Sequence, residues 1–170
     1  VGDNNVQEVS NILDQHSDLD LNDENLYTLH PPLCRAAKKG FYEICKTLIQ
    51  YGADVNCIKD RLFSPLWGAS SGNHLEIVKL LIENGADINA YESSTTAALN
   101  EAAAKGHFEI VRYLIEKGAD INRLTTTLLF SPLDWSISSG HNEISLFLKE
   151  KGASSNINHD YVWSEVGGGI

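Results

Sequence analysis

The feature that most constrains this chain is a short motif that returns at a nearly constant spacing. The motif Gly-Ala-Asp-Val-Asn at residues 52–56 recurs, with Ile for Val, at 85–89 and 118–122, and a degraded copy occupies 152–156. Successive copies begin 33, 33 and 34 residues apart. A period of this length is the signature of a repeat architecture, in which each unit packs only against its neighbours.

Two further markers keep the same spacing. A Glu-Ile pair begins at residues 43, 76, 109 and 143. A Pro-Leu pair, replaced by Ala-Leu in the third copy, begins at residues 32, 65, 98 and 132. Three markers in register over four copies exclude a chance similarity.

Each copy predicts a pair of helices. Ser64 followed by Pro65 suits a helix N-terminus, and the helix after it is rich in small residues. This first helix ends at a glycine in three copies and at Asn73 in the second, because both residues adopt left-handed backbone conformations easily. A longer amphipathic helix follows, with Ile77 and Leu81 among its apolar residues, and a polar hairpin leads to the next copy.

The period and the motifs together resemble the ankyrin repeat over residues 26–156. The resemblance implies an all-α ankyrin-repeat solenoid, in which stacked helix-turn-helix pairs are joined by β-hairpin-like loops. The predicted organisation is one ankyrin-repeat domain at 1–156, with a partial repeat at 1–22, four full repeats at about 23–56, 57–89, 90–122 and 123–156, and a C-terminal tail at 157–170. Because the partial repeat lacks its first helix and the chain opens on Val1, we expect a longer parent protein.

Charge and cysteine usage exclude some classes of function. The net charge of −10 disfavours a nucleic-acid partner, since phosphate binding needs clustered Lys and Arg. Residues 1–24 hold seven acids and no Lys or Arg, which fits either a solvated end cap or a docking face for a basic partner. The odd count of three cysteines fits a reducing compartment, and no apolar run approaches the ~18 residues of a membrane span. We predict a cytoplasmic protein without membrane insertion.

No residue pattern indicates catalysis. His74, His107 and His141 stand at one equivalent repeat position, so they are interpreted as structural turn residues rather than as metal ligands or bases. The chain has no zinc-ligand spacing, no phosphate-binding loop and no nucleophile elbow. The sequence predicts no enzyme, no metal, no cofactor and no small-molecule substrate.

The resemblance implies a binding groove lined by the variable residues of the first helices and by the hairpin tips. Trp67 and Trp135 lie at such helix positions and suit a binding hot spot, although either one packing into the next repeat is the alternative. The variable helix positions also include Cys34, Gly68, Asn100 and Asp134, which are expected to line the same groove. The hairpins replace the family's usual tip glycine by Leu62 and Thr95 and carry apolar residues, which either form an interaction patch or fold back on the array.

The first full repeat is locally basic, and we expect an acidic or phosphorylated partner segment to lie there. The predicted partner-binding residues are Arg35, Lys38, Lys39, Ile58, Arg61, Leu62, Phe63, Trp67, Tyr91, Glu101, Lys105, Leu129, Phe130 and Trp135. The resemblance also implies possible asparagine hydroxylation at Asn56, Asn89 and Asn122, if such a hydroxylase shares the compartment.

The leading functional hypothesis is a protein-interaction module that binds a protein or peptide, as part of a larger adaptor or effector. The alternative is a small acidic inhibitor, of the immunity-protein type, that blocks an enzyme. A structural spacer is the third possibility, but a spacer predicts polar hairpin tips, and the tips of this sequence are apolar.

Overall fold

The computed structural model describes residues 4–16, 21–22, 31–57, 64–90 and 97–157. Within those ranges the chain forms α-helices and no strand, so the predicted all-α fold is confirmed. The helices are α1 Asn4–Gln15, α2 Pro32–Lys39, α3 Tyr42–Gln50, α4 Pro65–Ser71, α5 Leu75–Glu83, α6 Ala98–Lys105, α7 Phe108–Glu116, α8 Pro132–Ser138 and α9 Asn142–Glu150.

The helices stack in two rows. Helices α2, α4, α6 and α8 form the first row, and α1, α3, α5, α7 and α9 form the second, each helix packing against the next in its row. Packing is closer along the first row than along the second. Helix α1 packs against α3 and so lies where the second helix of a preceding repeat belongs, as the partial repeat predicts.

Local sequence explains where the helices of the first row begin and end. The Ser64 side chain accepts a hydrogen bond from the backbone N of Trp67, with Pro65 as the first helical residue of α4. Helix α2 is followed by Gly40 at φ +79°, and the second copy has Asn73 at φ +61° in the corresponding place. The prediction that Asn73 takes the left-handed conformation is therefore confirmed.

The core lies between the two rows. The leucine of each Pro-Leu or Ala-Leu pair is almost fully buried, and these residues are Leu33, Leu66, Leu99 and Leu133. Ala69, Ala102 and Ala103 are completely buried in the first row, where their small side chains let neighbouring helices approach closely. The second helices close the core with residues such as Leu81 and Leu114.

The recurring histidines join consecutive repeats. His107 Nε2 lies 3.3 Å from the Ser71 carbonyl oxygen, and His141 Nε2 lies 3.1 Å from that of Ala104. Each ring thus reaches back to the first helix of the preceding repeat. Burial lowers the pKa of His107, which favours the neutral ring. These contacts agree with the interpretation of the histidines as structural residues.

A second connection is the asparagine ladder, formed by Asn22, Asn56, Asn89 and Asn122. The Asn56 Oδ1 atom accepts a hydrogen bond from Asp87 N at 2.7 Å, and its Nδ2 donates to the Gly85 carbonyl at 3.1 Å. Asn22 and Asn89 make the equivalent pair of bonds to the next repeat, and Asn122 accepts from the backbone after α9. The asparagine of the motif that revealed the period therefore forms the hydrogen bonds between neighbouring repeats.

Candidate interaction surface

The residue directly after each Pro-Leu or Ala-Leu pair is here called the link position. It is occupied by Cys34, Trp67, Asn100 and Asp134, so no two repeats share a residue there. Cys34, Asn100 and Asp134 are completely buried, whereas Trp67 is partly exposed. The expectation that variable first-helix residues line the groove is therefore wrong for three of these four positions.

The buried link residues hold the loop of the following repeat. Asn100 Nδ2 donates to the carbonyl oxygens of Arg123, at 2.9 Å, and Phe130, at 3.3 Å. Asp134 accepts hydrogen bonds from the Ser155 hydroxyl and from the backbone N of Asn156 at 3.0 Å. Asp134 uses both carboxylate oxygens and Asn100 uses its amide nitrogen inside the array, which explains why they differ between repeats without being exposed. The buried Asn100 Oδ1 has no hydrogen-bond partner within the described residues.

Asp134 also caps the helix on which it lies. The Ser131 backbone N donates to Asp134 Oδ2 at 2.9 Å, and the Asp134 backbone N donates to Ser131 Oγ at 3.2 Å, which completes a capping box. Burial acts to raise the pKa of Asp134, but the hydrogen bonds from Ser155, Ser131 and Asn156 outweigh it and lower that pKa. The carboxylate is therefore held in its charged form.

Trp67 forms the centre of the basic site, defined as Arg35, Lys38, Lys39 and Trp67. The Lys38 ammonium lies 5.7 Å from the centroid of the Trp67 ring, within the range of a cation–π contact. All three cationic side chains are exposed on α2. This arrangement presents positive charge beside one partly exposed aromatic ring.

The next repeat along the groove is more nearly neutral. Glu101 lies 3.5 Å from the Lys105 ammonium and accepts a hydrogen bond from the Ser71 hydroxyl at 2.9 Å. Its side chain is only 14% exposed, whereas that of Lys105 is 48% exposed. Of these two predicted contact residues, Lys105 is the more available to a partner.

The hairpin at residues 123–131 and the helix α8 that follows it present the apolar site, defined as Leu128, Leu129, Phe130 and Trp135. Thr125 N donates to the Phe130 carbonyl at 2.9 Å, and Leu129 N donates to that of Thr125 at 3.1 Å, which closes the loop. Leu128 and Leu129 are 52% and 54% exposed. Leu129 has a φ of +54°, a conformation that a side chain with a Cβ adopts at a cost.

Phe130 and Trp135 form an aromatic pair within the apolar site. Their ring centroids are 5.2 Å apart at an interplanar angle of 58°, and both residues are partly exposed. The Trp135 indole N–H is buried and has no hydrogen-bond partner within the described part of the chain. Trp135 therefore packs on its own hairpin, which differs from the packing into the next repeat that the sequence left open, and it keeps an exposed portion.

The remaining predicted tip residues, Ile58, Arg61, Leu62, Phe63 and Tyr91, lie outside the described residues. The amides of Asn56, Asn89 and Asn122 take part in the asparagine ladder. Sequence reasoning missed that Cys57 lies beside Cys34. The contact has a counterpart in the third full repeat, where Asn100 contacts Arg123, also 23 places later, but that equivalence is visible only in the structure.

Two other kinds of site were searched for among the described residues. No group of three or more His, Cys, Asp or Glu side chains in these ranges is placed to hold a metal ion. No helix there is long and apolar enough to cross a membrane.

The two rows of helix pairs, joined by the histidines and the asparagine ladder, define a helical repeat protein with an extended face. A family model described as "Ankyrin repeats (3 copies)" matches residues 1–92 and again residues 92–159. The chain therefore belongs to the ankyrin-repeat family, and the resemblance drawn from the motifs is confirmed. Ankyrin repeats are generally protein–protein interaction modules. No curated protein matches this chain.

Proposed function

We propose that this chain is the recognition part of a larger adaptor or effector and binds one partner protein along its first-helix face. The basic site takes an acidic segment of the partner, and the apolar site takes a hydrophobic one. The basic site spans the first and second full repeats and the apolar site lies in the fourth, so one extended partner segment bridges them. We further propose a cytoplasmic location, to which the three free cysteines are suited.

The observation that carries this proposal is the conformation and exposure of Leu129. A glycine would adopt φ +54° without strain and would not expose an apolar side chain. Leucine instead adds roughly 1 kcal/mol of backbone strain and places an apolar group in water. Leu129 is therefore unfavourable for folding both in its backbone conformation and in its exposure. Contact with a partner would explain why leucine is used at this position.

The basic site supplies the charge selectivity of the proposed groove. Exposed lysine and arginine on α2 attract acidic segments and raise the rate of encounter, while the Trp67 ring offers rigid apolar area. Glu101 and Lys105 lie on α6, between the basic site and the apolar site, and Phe130 and Trp135 belong to the apolar site itself. This division predicts that salt weakens binding at one end of the groove more than at the other.

The test begins with affinity capture and mass spectrometry to obtain the partner, followed by calorimetric titration of purified variants. Trp67→Ala and Leu129→Gly are each expected to weaken binding by about 30-fold, the effect of losing a hot-spot side chain. Leu129→Gly is also expected to raise the free energy of unfolding by roughly 1 kcal/mol, because the strain disappears.

Leu146 provides the matched control for this titration. It is an exposed leucine, 63% accessible, on α9 in the second row of helices, away from the proposed groove. Leu146→Ser is expected to leave the affinity unchanged. Equal affinities for the wild type, Trp67→Ala and Leu129→Gly would show that the partner binds elsewhere.

The second candidate function is an acidic inhibitor that blocks an enzyme. It is favoured by the net charge of −10 and by the pairing of Lys79, Arg112 and Lys105 with neighbouring glutamates, which leaves a surplus of acid. Such an inhibitor would bind a basic enzyme tightly, and its affinity would fall steeply with salt. Binding that depends on Trp67 and Leu129, and that takes an acidic rather than a basic partner segment, distinguishes the adaptor from the inhibitor.

A further inference from the structure

Two of the three thiols face each other across a repeat boundary. Cys34 Sγ lies 3.5 Å from Cys57 Sγ and 3.7 Å from the Cys57 carbonyl oxygen, and the two residues are 23 positions apart. Cys34 is completely buried at the link position of α2, while Cys57 is partly exposed directly after Asn56 of the asparagine ladder. Both side chains are thiols, and neither belongs to a disulfide.

This pair is the thiol counterpart of a contact that another repeat makes with an amide. Asn100 joins the loop of the following repeat by donating to the Arg123 carbonyl, and Arg123 stands 23 residues later. In the first full repeat the corresponding contact joins Cys34 to Cys57 and is a weak thiol interaction. Closing it to a disulfide requires the sulfurs to approach by about 1.5 Å, from 3.5 Å to the ordinary S–S length of about 2.05 Å.

The third cysteine is a built-in contrast. Cys45 is completely buried on α3, and burial raises the pKa of its thiol to about 12. Such a thiol is a poor first nucleophile toward a disulfide in solution. Cys34 is equally buried, but it lies 3.5 Å from the Cys57 sulfur and needs to attack only that atom. Only the partly exposed Cys57 can meet a dissolved oxidant directly, and only Cys34 lies in sulfur contact with it.

We propose that Cys34 and Cys57 form an oxidation site, at which a small-molecule disulfide such as oxidised glutathione converts the two thiols into an intramolecular disulfide. The Cys57 thiolate, having released its proton to solvent, attacks one sulfur of the glutathione disulfide and expels a glutathione thiolate. Cys34 then loses its proton, attacks Cys57 Sγ and expels the second glutathione thiolate. The protein loses two electrons and two protons, and one glutathione disulfide becomes two glutathione thiols.

The new bond would change how the first two full repeats are held together. A covalent link would replace a weak contact between α2 and the segment that leads into residues 58–63, where several predicted contact residues lie. Any effect of oxidation on partner binding rests on the proposed function. Formation of the disulfide does not depend on that function, because it involves only residues within the array.

The test treats the purified, folded full chain with oxidised glutathione, then unfolds it in denaturant containing N-ethylmaleimide, so that every remaining thiol including the buried Cys45 is blocked, and measures the intact mass. The wild type is expected to lose about 2 Da through loss of two hydrogens and to keep one blocked thiol. Cys45→Ser is the matched control and should form the same disulfide with no blocked thiol remaining. Cys34→Ser should instead retain one glutathione on Cys57, since the second attack is missing, and Cys57→Ser should not react.

Peptide mapping of the oxidised wild type needs no variant and decides the pairing by itself. A cross-linked peptide pair containing Cys34 and Cys57 is the expected product, and it should disappear after reduction. A wild type that keeps all three thiols, that stops with glutathione on Cys57, or that forms a disulfide-linked dimer would overturn the proposal. None of these readouts uses a partner, so failure here is distinct from failure of the proposed function.

Discussion

The asparagine ladder and the link position make the same kind of connection in opposite ways. The ladder uses asparagine at all four positions and repeats its hydrogen bonds from Asn22 onward, although its side chains lie near the surface. The link position uses four different residues, and three of them are completely buried. The recurrent residues are therefore near the surface and the variable ones are mostly buried, which is the reverse of a constant core with a variable surface.

The difference shows how a repeat protein joins its units. The ladder bonds to backbone atoms whose geometry is the same in every repeat, so one residue serves throughout. The link position faces hairpins of different length and sequence, so each repeat solves the contact separately. Variation at a repeat position consequently signals either a partner contact, as proposed for Trp67, or a local structural solution, as at Asn100 and Asp134.

The largest expected effect comes from removing the carboxylate at the fourth link position. Asp134→Ala breaks the capping box and leaves the Ser131 and Asn156 donors without their buried acceptor. We expect a loss of roughly 3 kcal/mol in the free energy of unfolding, measured by urea denaturation at pH 7. A loss below about 0.5 kcal/mol, the range of ordinary surface substitutions, would contradict a structural role for this link residue.

The stability difference between the wild type and Asp134→Ala should also depend on pH, in a direction set by the pKa of Asp134. Because the pKa of Asp134 is lowered on folding, its contribution is complete above the ordinary aspartate value of about 3.9 and is lost as the pH falls through the lower folded value. The stability difference between wild type and Asp134→Ala should therefore narrow as the pH falls below about 4. A difference that stayed constant down to acid-induced unfolding would argue against a charged carboxylate in the folded state.

An intermediate effect is expected at two glycines that both recur but have different surroundings. Gly106 and Gly118 have φ values of +79° and +91°, so alanine is strained at either. At Gly106 an added Cβ would also lie 2.6 Å from the His141 ring, whereas at Gly118 it meets nothing within 4 Å. We expect losses of roughly 2–3 kcal/mol for Gly106→Ala and about 1 kcal/mol for Gly118→Ala, by urea denaturation.

The Gly118 variant is the internal control for backbone strain. If the two alanine variants lost equal stability, the close contact between Gly106 and the following histidine would contribute nothing. The recurrence of both glycines would then be explained by backbone conformation alone.

A smaller effect than that of Asp134→Ala or Gly106→Ala is expected along the asparagine ladder, where the bonds are partly exposed. Asn56→Ala and Asn89→Ala should each lower the free energy of unfolding by about 1–2 kcal/mol, and by nearly equal amounts, because each loses one donor and one acceptor to the next repeat. Equilibrium denaturation of both variants checks this equality. A difference above about 1 kcal/mol would show that the ladder bonds are not equivalent.

Most of the fold could be predicted from the sequence, because a 33-residue period fixes which residues must be equivalent. The helix pairs, the left-handed Asn73 and the stacking role of the histidines all follow from that equivalence. The half-repeat position of α1 follows from Asn22, which matches the ladder motif. These features depend on contacts that are the same in every unit.

The interaction surface was less predictable, because it depends on features that occur once. The burial of Asn100 and Asp134 depends on the path of the following loop, which a single sequence does not encode locally. The positive φ of Leu129 arises from the hydrogen bonds that close one lengthened hairpin around Thr125. The partner contacts assigned to Trp67 and to the hairpin tips stay predictions.

The backbone of Leu129 has a consequence for how this chain should be engineered or compared with redesigned relatives. A sequence selected for thermal stability alone would carry glycine there, and the exposed apolar side chain of the hairpin would be lost. A consensus repeat built from the family motif would replace Leu129 by glycine in the same way. Such an idealised protein would lack a side chain through which the natural chain is proposed to recognise its partner.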